Sequence, residues 1–499
     1  MSASHGARVA AQPAEEPLAA STTGSIAHKR MAYAFAIQVA CRVFGMLASV
    51  VSVSMTARYL GPGRYGQLTI AVVFIGTWAS LADLGIGAVI VRRVTSGRGQ
   101  LERLVRLNSG LSLVYCLPLA ALAVGSGLLV YRDSGVRAML VVLSGQLLMV
   151  TMTARFEPVF VASVRFFAVA FSDVASRAAM LAAVALLVAT RADIVWFAVA
   201  QLIPFALQLL IQGTAASRNV SLRPVFSWPE TADLLREALP MMGTVVLATV
   251  YLRCDGVILS LLSNPTEVGV FGLAVTVAFN TVIVAVFFQN ATLSTATELF
   301  AGDVAAFARF MRRSVELMWF LAAPVAVIGG LLAGPIIGFF GDQAFVGRGT
   351  PTLALLCVAA ALRFVGSTLS QGLFACHHQG FLLRMSIAEL GVIVGLNVAL
   401  DGRYGAVGAA IALVCMEVSR MLISSWWLRR QCGYRTPAVF LLRLLMPLAA
   451  GVAVALLLAD HHVVLRCAAA FAAYLATSMA VGPIKWSTLA AVRRQGVMA

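Results

Sequence analysis

The chain divides into about fourteen apolar segments of bilayer-crossing length, and several of them hold an arginine well inside their ends. A span needs roughly 20 apolar residues to cross the hydrocarbon core. An arginine at its centre costs roughly 2.5–3.5 kcal/mol even on the lenient insertion scale. The spans beginning near Met31, Phe166, Ala238 and Thr352 carry Arg42, Arg177, Arg253 and Arg363. A chain that accepts this cost repeatedly has something anionic to hold within the membrane.

Hydrophobic residues make up 60% of the chain and charged ones 12%, which excludes an ordinary water-soluble fold. The net charge of +16 is nearly all arginine, the only lysines being Lys29 and Lys485. It is spread over short loops and span interiors. No dense basic run with aromatic neighbours offers a surface for nucleic acid, so membrane topology accounts for the charge.

The spans read as Met31–Ala57, Gln67–Val91, Ser109–Val130, Ala138–Thr153, Phe166–Val188 and Ile194–Ile211. The next six are Ala238–Leu262, Val268–Thr292, Val315–Phe340, Thr352–Ala375, Phe381–Leu400 and Ala406–Trp426, followed by Pro437–Leu458 and Val463–Gly482. Alternate loops differ in charge. One set holds Lys29 and Arg30, the run from Arg92 to Arg106, Arg218 to Arg236, Arg309 to Arg313, Arg429 to Arg435, and Lys485 with Arg493 and Arg494. The opposite set holds at most two arginines per loop, as at Arg58 and Arg64 or at Arg348. The positive-inside rule places both termini in the cytoplasm, which an even number of spans allows.

Residues 1–30 read as a disordered cytoplasmic tail, too polar to pack and too long for a cleaved signal. The polar, proline-containing stretch 217–237 is the strongest internal break. It separates a first lobe of six spans, residues 31–216, from a second, residues 238–430. The last two spans and a cytoplasmic tail occupy 431–499. The fold class is therefore all-α: about fourteen transmembrane helices, as two six-helix lobes plus two extra helices. The eight cysteines are scattered singly, and the pairs His377-His378 and His461-His462 sit in short loops, so no metal site is expected.

The two lobes begin alike. Pro62-Gly63-Arg64-Tyr65-Gly66 follows the first span and Pro265-Thr266-Glu267-Val268-Gly269 follows the seventh, about 200 residues later. Proline cannot continue a helix and glycine accepts φ > 0, so both segments suit a tight helix–turn–helix connection. Paired six-span halves recur among transporters, with the substrate site between them near the midplane.

The segment Ala57-Arg58-Tyr59-Leu60-Gly61-Pro62-Gly63-Arg64-Tyr65-Gly66 is followed by Leu81-Ala82-Asp83-Leu84-Gly85-Ile86-Gly87. Arg253-Cys254-Asp255 and Gly405-Ala406-Val407-Gly408-Ala409-Ala410 come in the second lobe. In order and spacing, over roughly residues 31–430, these resemble the bacterial lipid-linked oligosaccharide flippases of O-antigen and exopolysaccharide export. That family shares a superfamily with the lipid II flippase and the multidrug-and-toxin extruders. The resemblance implies two lobes around a central cavity, alternating access, and residence in the inner membrane. It further implies a polyprenyl-diphosphate oligosaccharide as substrate, with membrane lipids, a polysaccharide polymerase and glycosyltransferases as partners.

At roughly 1.5 Å per residue, Arg42 and Arg177 lie about 16–17 Å from the cytoplasmic end, Arg363 about 18 Å and Arg253 about 22–24 Å. All are near midplane height, and guanidinium suits bidentate phosphate contacts. Asp173 and Arg177 are i,i+4, which favours an ion pair over ligand binding. Asp83 is at a depth from which it can pair with Arg42. Glu417 and Arg420, i,i+3, look structural. Arg253 and Asp255 are about 200° apart around a helix and cannot face one another. Arg363 has no acidic residue within a turn. Arg253 and Arg363 are thus the leading substrate contacts, with Arg42 and Arg177 behind them. If the chain is ion-coupled, as cation-coupled relatives imply, Na⁺ or H⁺ is the candidate ion, and Asp83, Asp255, Glu389 and Asn397 are the candidate ligands.

No catalytic residue or other cofactor is expected. A cation exporter of the same superfamily is the nearest alternative reading, but its substrates favour an acidic cavity. A membrane glycosyltransferase or polymerase would need catalytic carboxylates on a sizeable external domain, and the external loops here are about a dozen residues or fewer. A primary ATP-driven pump is excluded because neither lysine sits in a Gly-rich phosphate loop.

Overall fold

A computed structural model describes residues 20–82, 85–163, 167–218, 220–376 and 379–480, which form helices with no strand among them. Within the helices, the side chains of residues 20–40, 42, 43, 162, 163 and 379, and of several residues from 240 to 252, are outside the description. Asp83, His377, His378, Lys485, Arg493 and Arg494 also lie outside the described residues, as does the tail over 1–19.

The first half comprises α1 (Ala20–Leu81), α2 (Ile86–Thr95), α3 (Leu101–Val130), α4 (Ser134–Ala154) and α5 (Glu157–Ser163). It continues with α6 (Phe167–Ala189), α7 (Ile194–Ala200) and α8 (Ile203–Ser217). The second half holds α9 (Trp228–Leu262), α10 (Pro265–Phe279), α11 (Ile283–Gly302), α12 (Val304–Pro324) and α13 (Ala333–Gly341). After these come α14 (Val346–Ala375), α15 (Gln379–Tyr404) and α16 (Ala406–Cys432), then α17 (Ala438–Leu457) and α18 (Val463–Ala480).

Eleven of these stretches are long and apolar enough to span a membrane, or twelve if α12 and α13 count as one span bent by 79°. The expected fourteen is not reached on that criterion. One reason is that α1 is two helices in succession, broken at Gly61 with φ 68°, and they enter the count once. Another is α9, which has 35 residues but is not among the eleven. Helix α1 begins at Ala20, inside the stretch the sequence assigns to the tail.

Local chemistry explains the breaks. Asn264 caps α10 by accepting from Glu267 N at 3.0 Å, and Pro265 takes the first helical position, where no N–H is needed. Asp133 caps α4 in the same way through Val136 N. In α12, Pro324 has no N–H to give to the carbonyl of Phe320, four residues back. The hydroxyl of Tyr474 on α18 donates to that carbonyl at 2.8 Å. The two extra helices pack on one another and dock on this bent span, with Ile328, Leu332, Leu444 and Tyr474 forming a core of their own.

In the first half, α1 packs on α4 and α6, α6 on α8, and α3 on α4. In the second, α14 packs on α16, α10 and α12, and α15 on α9 and α16. Helix α1 joins the halves by crossing α10 and α9.

Candidate functional site

The halves meet backbone to backbone at the two segments that the sequence pairs, which are helix starts and not the expected turns: Pro62–Gly66 follows the break at Gly61 in α1, and Pro265–Gly269 opens α10. A methyl group on Gly66 would lie 1.7 Å from the carbonyl oxygen of Pro265, and one on Gly269 would lie 2.3 Å from that of Pro62. Both glycines are therefore required by backbone-on-backbone contact. Tyr131 and Ser260 share a hydrogen bond of 2.6 Å across the halves at the same end. At the opposite end α2 and α3 are tied to the start of α9. Arg92 and Arg93 both reach Glu237, Arg93 meets Asp233 at 2.8 Å, and Arg103 meets Glu230 at 2.7 Å. The carboxyls of Glu237 and Glu230 are held below their ordinary range by hydrogen bonds, from Arg92 and then Arg93 for Glu237 and from Arg103 for Glu230.

Between these two contacts lies a cavity of about 570 Å³ lined by α1, α6, α8, α9 and α10. The offset relating Gly66 to Gly269 also relates Leu68 to Phe271, Thr69 to Gly272 and Val72 to Val275, all in the lining. The two halves thus face the cavity with corresponding residues.

Of the four arginines singled out from sequence, Arg177 and Arg253 line this cavity. Arg177 pairs with Asp173 at 3.1 Å and lies over Gly45, where a methyl would come within 2.6 Å of its Cδ. Arg253 crosses to the first half and lies over Gly76, where a methyl would come within 2.9 Å of its Nη1. Among the described residues no carboxylate forms an ion pair with Arg253. Asp255 lines the same cavity, its Oδ1 accepting from Gly256 N at 2.8 Å. The side chain of Arg42 is outside the description, and so is Asp83.

Arg363 sits elsewhere. It pairs with Glu417 at 2.5 Å, with its guanidinium 4.7 Å from the Phe279 ring centroid. Glu417 also meets Arg420 at 3.4 Å, and Arg420 meets Glu389 at 3.0 Å. The two carboxylates are buried, at 0% and 2% exposure. Arg363 and Glu389 thus belong to a four-member charge network inside the second half. The sequence contained the Glu417–Arg420 link as an i,i+3 spacing but not the two links that cross between helices.

A residue missed from sequence is Asp401, which lies past the expected end of its span but within α15. Asn397 precedes it by one turn, and both are fully buried. Asn397 Nδ2 donates to Ile393 O at 2.7 Å, while its Oδ1 and both Asp401 carboxylate oxygens are buried with no donor among the described residues. The i,i+4 spacing of Asn397 and Asp401 was the available signal. Three orphaned buried acceptors on one helix are hard oxygens of the kind a small cation takes, but too few by themselves to complete a site. Among the described residues no group of three or more His, Cys, Asp or Glu has metal-ligand geometry.

A family model described as polysaccharide biosynthesis protein matches residues 34–295. Comparison with curated proteins gives no significant sequence match. Among solved structures, the chain is similar to lipid II flippase MurJ in an inward closed conformation, with TM-score 0.75 and 14% identity over 89% of this chain and 98% of that one. It is also similar to an inward-facing MATE family multidrug resistance transporter of the MOP superfamily, with TM-score 0.62 and 15% identity over 79% and 98%. A mutant Vibrio cholerae MATE transporter matches at TM-score 0.54 and 14% identity over 79% and 96%. At these identities the likeness establishes a shared fold.

Proposed function

We propose, for a chain that belongs to the polysaccharide biosynthesis protein family, that it is a flippase moving polyprenyl-diphosphate-linked oligosaccharide units from the cytoplasmic to the periplasmic leaflet of a bacterial inner membrane. The observation that carries this reading is the cavity between two corresponding halves, with Arg253 presented to it free of any carboxylate pair among the described residues. A diphosphate supplies the counter-charge that this guanidinium lacks, and bidentate contact gives it direction. The helix-start contact at one end and the arginine–carboxylate ties at the other form a pair of gates that part in alternation. Translocation breaks no covalent bond, so the chain acts as a transporter and not as an enzyme, with both termini in the cytoplasm. Its product passes to a polymerase, and its substrate comes from glycosyltransferases.

The buried oxygens of Asn397 and Asp401 are the place for Na⁺ as the coupling ion on this reading; H⁺ on the Asp401 carboxylate is the alternative.

The test is polysaccharide export normalised to protein in the membrane. Arg253→Ala should leave the protein inserted and abolish export, and Arg253→Lys should restore only part of it, since a point charge does not reproduce the fork. Full export per molecule with Arg253→Ala would overturn the assignment.

A further inference from the structure

The two walls of the cavity differ in chemistry, and the difference follows the halves. The second half presents Arg253 and Asp255 with an apolar surface around Phe271 and Val275. The first half presents amides, hydroxyls and an ion pair: Gln201, Gln208 and Ser176 beside Asp173 and Arg177.

The polar wall is built as a ladder between α6 and α8. Gln212 Nε2 donates to Ser172 Oγ at 2.9 Å, and one turn along both helices Gln208 Nε2 donates to Ser176 Oγ at 3.3 Å. The first rung is buried, with Gln212 9% and Ser172 0% exposed, and it joins the helices. The second rung opens into the cavity. Gln201 reaches the cavity from the break between α7 and α8, just ahead of Pro204, whose missing N–H prevents one continuous helix. Amides left at the edge of a membrane cavity are costly unless something pairs with them. Each amide offers both donors and acceptors, which is what a sugar hydroxyl, itself donor and acceptor, requires.

We infer that this wall, resting on the flippase reading above, binds the glycan end of the substrate: Gln201, Gln208 and the Asp173–Arg177 pair receive sugar hydroxyls while the diphosphate lies across the cavity at Arg253. The ligand class is a neutral, hydroxyl-rich saccharide. The charges of Asp173 and Arg177 cancel at 3.1 Å, so neither an acidic nor an amino sugar meets an uncompensated partner on this wall.

The experiment measures binding to the purified protein in lipid nanodiscs of three probes: bare polyprenyl diphosphate, the same lipid carrying a neutral trisaccharide, and the same lipid carrying a uronic-acid trisaccharide. The wild type should bind the neutral glycolipid more tightly than either other probe. Gln201→Leu with Gln208→Leu should weaken the neutral glycolipid by about tenfold, the factor corresponding to about 1.4 kcal/mol, and leave bare lipid unchanged. Gln201→Leu alone keeps the Gln208–Ser176 bond and repeats the test if the double variant fails to fold. Unchanged affinity of a folded variant for the neutral glycolipid, equal weakening of both lipids, or wild-type preference for the uronic-acid probe would each overturn the inference while leaving the flippase reading standing. Failure of the wild type to bind any of the three would overturn that reading and the inference with it.

Discussion

Replacing Gly66 with alanine tests whether the close contact of the two helix starts holds one end of the cavity shut. The added methyl would lie 1.7 Å from the Pro265 oxygen, 2.5 Å from its carbonyl carbon and 3.1 Å from Gly269 N. All three are backbone atoms, so no side-chain rotation relieves the clash. The helix starts must separate by about 1.3 Å for the nearest contact to reach 3.0 Å. Overpacking of this kind costs about 1–3 kcal/mol. Loaded on the closed state alone, that shifts its equilibrium with the open state by about 5–150-fold. Gly269→Ala meets Pro62 O at 2.3 Å and should act in the same direction but less strongly. Gly63→Ala meets only Thr266 Oγ1 at 3.6 Å and should be silent. Spin labels at the exposed positions Arg132 and Arg403, in a cysteine-free background, report the separation of the halves at this end. Longer distances should gain population in the order Gly66→Ala, Gly269→Ala, Gly63→Ala. A Gly66→Ala distribution matching wild type, or a Gly63→Ala distribution matching Gly66→Ala, would refute the reasoning.

Three further outcomes are expected. Arg363→Ala removes the shorter of the two ion pairs of the fully buried Glu417, leaving Arg420 at 3.4 Å, and should destabilise the second half by about 1.5–3 kcal/mol, so membrane abundance and melting temperature should fall, unlike with Arg253→Ala. Normal abundance of Arg363→Ala would contradict its structural role. Tyr474→Phe removes the donor that serves the Phe320 carbonyl and should cost about 1 kcal/mol in detergent melts, whereas Tyr434→Phe, whose hydroxyl has no partner among the described residues, should cost nothing. The Arg92 and Arg93 ties to Glu237 should weaken in 1 M salt, where the Debye length falls to about 3 Å. They should also weaken in acid: the carboxyl titrates low in the tied state, so the tie is complete above the ordinary carboxylate range and is lost as pH falls through the lowered value. Labels at Ser96 and Arg236 should then move apart, and salt-independent distances would argue against the latch.

What the chain reveals without its tertiary structure is what depends on the period of a helix. Apolar runs of spanning length mark an all-α membrane protein. Pro62 to Gly66 and Pro265 to Gly269 mark equivalent places in the two halves, where the structure starts a helix just after each break, because helix-start chemistry needs only consecutive residues. The Asp173–Arg177 and Glu417–Arg420 pairs follow from i,i+4 and i,i+3 spacing and are present at 3.1 Å and 3.4 Å. Arg253 and Arg363 looked alike, since neither has a carboxylate at helical spacing. Tertiary packing separated them, placing Glu417 of α16 against Arg363 and leaving Arg253 at the cavity. Packing likewise laid Arg177 over Gly45 and Arg253 over Gly76. A charge inside a membrane must find its partner somewhere. Helical spacing lists only the partners on its own helix, and the others exist only once the helices have packed.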